Sequence, residues 1–147
     1  MSEQNQASDN VSELLAEARN EPIASFLNMQ LLELQPGYSR VSIRVLPEHQ
    51  NFNGFTFGGI AMAVADQAFG YAVNSMKRPN VASQFNIHFI APAKAGDELI
   101  AEGRVVRSGR RVSIAEMTVT NQEGKLIAKA TGTTIPLADV HSKSTDR

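Results

Sequence analysis

Cysteine is missing from this chain. Disulfides, thiolate nucleophiles and thiolate metal sites are therefore excluded, as is redox chemistry carried by the protein's own thiols. An excess of one charge sign is missing too, since 14 Lys and Arg against 15 Asp and Glu leave a formal net charge of -1. With the signs mixed along the chain, there is no basic stripe for nucleic acid and no electrostatic patch for a membrane. The three histidines, His49, His88 and His141, have no metal-ligand spacing, so no metal is expected. The N-terminus lacks the basic-then-apolar order of a signal peptide. The longest apolar stretch is too short to span a bilayer and carries Asp66 and Gln67. A soluble, cytoplasmic protein is the expectation.

What is present points to one compact domain: 147 residues, 42% hydrophobic, are enough for a real core. Its centre is the stretch from Phe57 to Val73, apolar on every side and rich in Gly58, Gly59, Ala61, Ala63, Ala65, Ala68, Gly70 and Ala72. A helix apolar all round is a buried helix, and small residues let a sheet approach it closely. Asp66 is the one carboxylate in that stretch. A desolvated carboxylate needs a partner or a task, so Asp66 is the first candidate for chemistry.

The polar stretch from Met1 to about Asn10 is expected to be mobile, followed by an amphipathic helix, capped by Asn10 or Ser12, to about Arg19. Pro22 opens a short second helical turn with Ile23, Phe26 and Leu27. Met29–Leu34 and Ser39–Leu46 flank Gln35-Pro36-Gly37-Tyr38, a type II turn pattern, and predict a hairpin. Residues 47–56 read as a loop feeding the helix, where binding groups commonly sit. Val81–Ala91 reads as a strand ended by Pro92, and Asp97–Ser108, Val112–Asn121 and Leu126–Pro136 read as a three-strand meander. The expected fold is α+β, an antiparallel sheet curled round one long helix.

That order, with Asn51, five intervening residues, Phe57-Gly58-Gly59, six more and Asp66, resembles the hotdog-fold acyl-CoA thioesterases, most closely the PaaI type. Ala65–Ala72, Val81-Ala82-Ser83, Phe89-Ile90-Ala91-Pro92 and Ala95-Gly96-Asp97 carry the resemblance further, over roughly residues 23–136. It implies a domain at 21–137 behind an N-terminal tail and short helix at 1–20, with a flexible tail at 138–147. It also implies that Asp66 is the catalytic carboxylate, Gly58 the oxyanion-hole N–H, Asn51 a holder of water or thioester, and Ser83 a supporting hydroxyl. Phe57 and Gly59 would border the substrate. The substrate implied is an acyl-CoA, with coenzyme A as part of it and no separate cofactor; the assembly implied is a homodimer or a dimer of dimers, a homotetramer. One departure matters: the family usually has His-Gly-Gly, and Phe57 stands in the first place. A backbone donor survives any side-chain change, so Gly58 can still polarise a carbonyl. Without the imidazole, either the rate is low, another group such as His49 serves, or this member binds acyl-CoA without cleaving it. A hydratase is disfavoured for want of a histidine and acid pair.

Asp66 and Gly58 are eight residues apart, or roughly 12 Å along a helix. Both must come within about 3 Å of one reacting group. One helix cannot supply both, whereas a second, antiparallel copy can, giving two sites per two-fold dimer. Phe55, Phe57 and Met62 make the site apolar, which favours an aromatic or medium-length acyl group. Arg107, Arg110 and Arg111, around Gly109, can fork onto the phosphates of coenzyme A. Each residue also has a structural reading: Asp66 bonded to a neighbour, Gly58-Gly59 as a helix start packed on a strand, Asn51 bonding its own loop. Likewise Ser83 can satisfy a strand neighbour, the turn arginines can be solvated, and His88 can be an ordinary surface residue.

Overall fold

The computed structural model describes residues 2–137. Two helices lead, α1 (Glu3–Ala18) and α2 (Pro22–Leu27), followed by the hairpin β1 (Gln30–Gln35) and β2 (Tyr38–Arg44). A loop with one 3-10 turn, Pro47–His49, delivers the chain to α3 (Gly58–Met76). Four strands follow: β3 (Asn80–Phe89), β4 (Glu98–Ser108), β5 (Ser113–Thr120) and β6 (Leu126–Pro136). They form one six-stranded sheet in the order β1-β2-β4-β5-β6-β3, every pair antiparallel. This is the hotdog arrangement: a long helix against one face of an antiparallel sheet.

The hairpin turns where its residues demand. Pro36 pre-sets the turn, and Gly37 takes a φ of 75°, a value costly for any residue with a Cβ. Along β2, Val41, Ile43 and the following Val45 are buried on the core side, while Arg44 is exposed. Opposite them, α3 buries Val64, Ala65, Ala68, Phe69, Ala72 and Val73 against β2, β4 and β5. The helix lies close to the sheet because Gly103 of β4 has no side chain. A Cβ there would stand 2.7 Å from the Ala68 carbonyl oxygen, which already accepts the Ser39 hydroxyl at 2.6 Å. Gly132 of β6 makes room in the same way for the ring of Phe69.

Two expectations change. The stretch through Asn10 is helical, because Ser2 caps α1 by accepting the Asn5 N–H at 3.3 Å and the helix has something to pack on. Ala7 and Asn10 are buried, and Asn10 Nδ2 donates to the Met76 carbonyl at 3.2 Å, satisfying an acceptor at the end of α3. Arg78, in the connection just after α3, pairs with Glu13 at 3.1 Å and Glu17 at 2.7 Å of α1. The second change concerns α3, which is not covered all round. The sheet covers one side and α1 another, and the remaining face keeps Met62 and Asp66 exposed in the single chain. The tail expected at 138–147 lies outside the described residues.

Candidate active site

The loop before α3 is built from its own backbone. Asn51 N–H donates to the Phe55 carbonyl at 2.7 Å, Gly54 N–H to the Asn51 carbonyl at 3.0 Å, and Phe57 N–H to the His49 carbonyl at 2.8 Å. The Asn51 side-chain oxygen accepts the N–H groups of Asn53 at 2.9 Å and Phe55 at 3.3 Å. Its Nδ2 has no partner among the described residues. His49 is also occupied: Nδ1 accepts the Leu46 N–H at 3.0 Å.

This loop ends on Phe57, which gives α3 no side-chain cap. The N–H groups of its first turn thus have no side-chain acceptor, and Gly58 and Gly59 supply the first two. Gly58 opens onto an apolar recess of about 300 Å³, lined by Phe55, Phe57, Ala61, Phe89 and Ile127 among others. The ring of Phe57 lies over Gly59 where a Cβ would stand, and a Cβ on Gly58 would stand 3.2 Å from the ring of Phe89. Both glycines are therefore places of close approach. Thr56, in the same recess, has a buried hydroxyl with no partner among the described residues. Oriented donors at a helix N-terminus facing an apolar hollow can stabilise negative charge on a bound carbonyl oxygen.

Asp66 lies two turns further along α3, on its open face, with no hydrogen bond or ion pair among the described residues. Although the residue as a whole is exposed, its carboxyl is partly covered by its surroundings, and that desolvation raises it above the usual carboxylate range, with no cation to pull it down. Beside it, Gln67 Nε2 donates to Glu21 Oε2 at 2.8 Å, and Tyr71 donates its hydroxyl to the same oxygen. Burial first, then the bond to Glu21 and its charge, push the Tyr71 hydroxyl well above its ordinary value. Nothing in the sequence signalled this cluster beyond the i,i+4 spacing of Gln67 and Tyr71, because Glu21 lies 46 and 50 residues away from them.

The remaining residues are dispersed. Ser83 sits at a bulge in the edge strand β3 and donates its hydroxyl to the Thr133 carbonyl at 3.2 Å. Arg110 and Arg111 are exposed in the β4–β5 turn, which Lys77 ties to the far end of α3 by donating to the Gly109 carbonyl at 3.2 Å. Within one chain the structure thus gathers Asn51, Phe57, Gly58 and Gly59 at one end of α3. Asp66 stands about 12 Å along the helix from Gly58. The arginines lie beyond the opposite end.

Comparison with known proteins sets this hotdog fold in the class of thioester hydrolases. The thioesterase superfamily profile matches residues 53–128, and the chain belongs to that superfamily. The chain is 31% identical to the acyl-coenzyme A thioesterase PaaI of Escherichia coli K12 over 109 residues, 74% of this chain and 78% of the relative. It is 29% identical to human acyl-coenzyme A thioesterase 13 over 102 residues, 67% and 73% of the two chains. The structure of the E. coli PaaI protein from the phenylacetic acid degradation operon superposes with a TM-score of 0.84 at 28% identity, covering 93% of this chain and 97% of that one. A Streptococcus mutans UA159 protein solved bound to acetyl CoA superposes with a TM-score of 0.74 at 32% identity, covering 78% and 92%. Among the described residues, no helix is long and apolar enough to cross a membrane.

Proposed function

We propose that this protein hydrolyses the thioester of an aromatic or medium-length acyl-CoA, as a homodimer in which Asp66 of one subunit faces Gly58 of the partner subunit. The observation that carries this reading is the pair of half-sites on α3. The donors at Gly58 and the carboxylate at Asp66 are about 12 Å apart in one chain, yet both belong on one carbonyl. An antiparallel second helix closes that gap twice over. Two features favour such pairing: the open face of α3, and the unpaired edge of β3, where Val81 and Phe89 are exposed.

In this reading the substrate carbonyl oxygen accepts the Gly58 N–H at the mouth of the apolar recess. Asp66 takes a proton from water, whose oxygen bonds to the carbonyl carbon. The tetrahedral intermediate then collapses, the carbon–sulfur bond breaks, and the coenzyme A thiolate leaves to be protonated. Asp66 attacking directly would give an anhydride that water cleaves to the same products. The free Nδ2 of Asn51 orients the water or the thioester, Phe57 and Gly59 border it, and Arg110 and Arg111 hold the nucleotide phosphates.

Phe57, an aromatic where the resembling family carries an imidazole, favours a second reading: a member that binds acyl-CoA without cleaving it. A panel of acyl-CoAs separates the two. Cleavage that Asp66→Asn abolishes supports the enzyme; thermal stabilisation by coenzyme A esters with no cleavage of any supports the binder.

A further inference from the structure

A second hollow, larger than the recess at Gly58, lies outside it. It holds about 790 Å³ between the α1–α2 connection and α3, with Leu14, Glu21, Gln67, Gly70, Tyr71 and Asn74 in its walls. That volume falls in the range of small-molecule sites, roughly 300–1,000 Å³. It opens on Asp66's side of α3: Gln67 follows Asp66 directly, and Gly70 comes one turn later on the same face.

Gly70 is the telling residue. A glycine inside a helix costs about 1 kcal/mol relative to alanine, and such a cost is normally offset by close packing. Here a Cβ would meet nothing within 4 Å. Within the single chain, the missing side chain leaves its space to the hollow.

Charge decides which arm of a thioester fits. Glu17 and Glu21 line the hollow with one cation, Arg78, and Arg78 is already paired with Glu17 at 2.7 Å and Glu13 at 3.1 Å. Glu21 has no cation within ion-pair distance among the described residues. Its Oε2 takes both the Tyr71 hydroxyl and the Gln67 amide, and its Oε1 takes neither. An uncompensated carboxylate repels the phosphates of coenzyme A and accepts a neutral group.

We infer that the hollow under the α1–α2 connection is the acyl subsite, shaped by Gly70, and that Glu21 selects against acyl groups ending in a carboxylate. The inference rests on the acyl-CoA reading above, and its test is chosen so that the two fail separately. Wild type, Gly70→Leu and Glu21→Gln are compared on acetyl-CoA, octanoyl-CoA and suberyl-CoA, the last matching octanoyl in length but ending in a carboxylate. Two quantities are read: kcat/KM, and the thermal stabilisation each ester gives beyond free coenzyme A.

Gly70→Leu lowers the octanoyl-to-acetyl ratio of kcat/KM at least about tenfold, a change of about 1.4 kcal/mol, and removes the extra stabilisation by octanoyl-CoA. Wild type prefers octanoyl to suberyl by about tenfold or more, and Glu21→Gln narrows that preference by a similar factor. If wild type cleaves no ester, the hydrolase reading falls while the stabilisation differences still judge the subsite. Ratios and stabilisation unchanged in Gly70→Leu overturn the inference. So does a variant whose selectivity stays constant while its self-association weakens, for the hollow would then belong to the subunit interface.

Discussion

The side-chain oxygen of Asn51 accepts the backbone N–H of Asn53 at 2.9 Å, which leaves only its NH₂ for a ligand. Aspartate can make the same loop bond but cannot donate. Asn51→Asp is therefore expected to keep the melting temperature close to wild type and lower kcat/KM about tenfold, the worth of one donated hydrogen bond. Asn51→Ala loses the loop bonds as well and is expected to cost about 1 kcal/mol of stability in a denaturant titration. Equal activity for Asn51→Asp and wild type would confine Asn51 to holding its loop.

Asp66 carries the base in the proposed reaction, and Asp66→Asn is expected to lower kcat by about 10²–10⁴-fold. Because burial raises this carboxyl, kcat/KM is expected to fall as the pH drops through a value above the usual carboxylate range. Stability follows the same sign. At neutral pH the charge is partly desolvated in the folded chain and hydrated in the unfolded one, and well below about pH 4 the group is neutral in both states. Asp66→Asn is thus expected to melt higher than wild type at pH 7, with the gain fading as the pH falls and gone well below about pH 4. Calorimetry across that range checks it; a variant less stable at pH 7 contradicts it.

Phe57 covers Gly59 and borders the recess at Gly58. If the missing imidazole limits the rate, Phe57→His is expected to raise kcat on the best acyl-CoA about tenfold or more, within the range of a positioned acid or base. No gain, with binding intact, assigns the aromatic ring to the acyl-CoA contact instead.

Arg110 and Arg111 are exposed beyond the end of α3 that Lys77 joins to their turn. A double Arg110→Ala, Arg111→Ala variant is expected to raise KM about tenfold for coenzyme A esters and to leave short thioesters without the nucleotide unaffected. A similar rise for both classes removes the arginines from phosphate binding.

Gly103 lets α3 sit on β4, with the Ala68 carbonyl 2.7 Å from its absent Cβ. Gly103→Ala must push helix and strand apart, and is expected to lower stability by about 1–3 kcal/mol with a shifted denaturant midpoint and an unchanged slope. An unaltered midpoint would mean that the helix rides freely over the sheet.

Much of the fold was legible because its signals are local. The Pro36-Gly37 turn, the alternation of Val41, Ile43 and Val45, and the small-residue run of α3 each report on a few successive residues. The separation of Gly58 from Asp66 along α3, on which the proposed pairing across subunits rests, could be read from spacing. The extent of α1 could not, because Ala7 and Asn10 become buried only when α3 is there to receive them. That Asn51 bonds its own loop was a reading of the sequence, but its partners, the N–H groups of Asn53 and Phe55, depend on how Gly54 and Phe55 turn back.

By itself the sequence determined the kinds of element, their succession, and the chemistry available at Asp66, Gly58 and Asn51, since backbone preference and side-chain type are properties of residues and near neighbours. Only the tertiary structure decided the spatial order β1-β2-β4-β5-β6-β3, the open face on which Asp66 stands, and the meeting of Glu21 with Gln67 and Tyr71. Those depend on contacts between residues tens of positions apart, which exist only once the core has chosen which surfaces to bury.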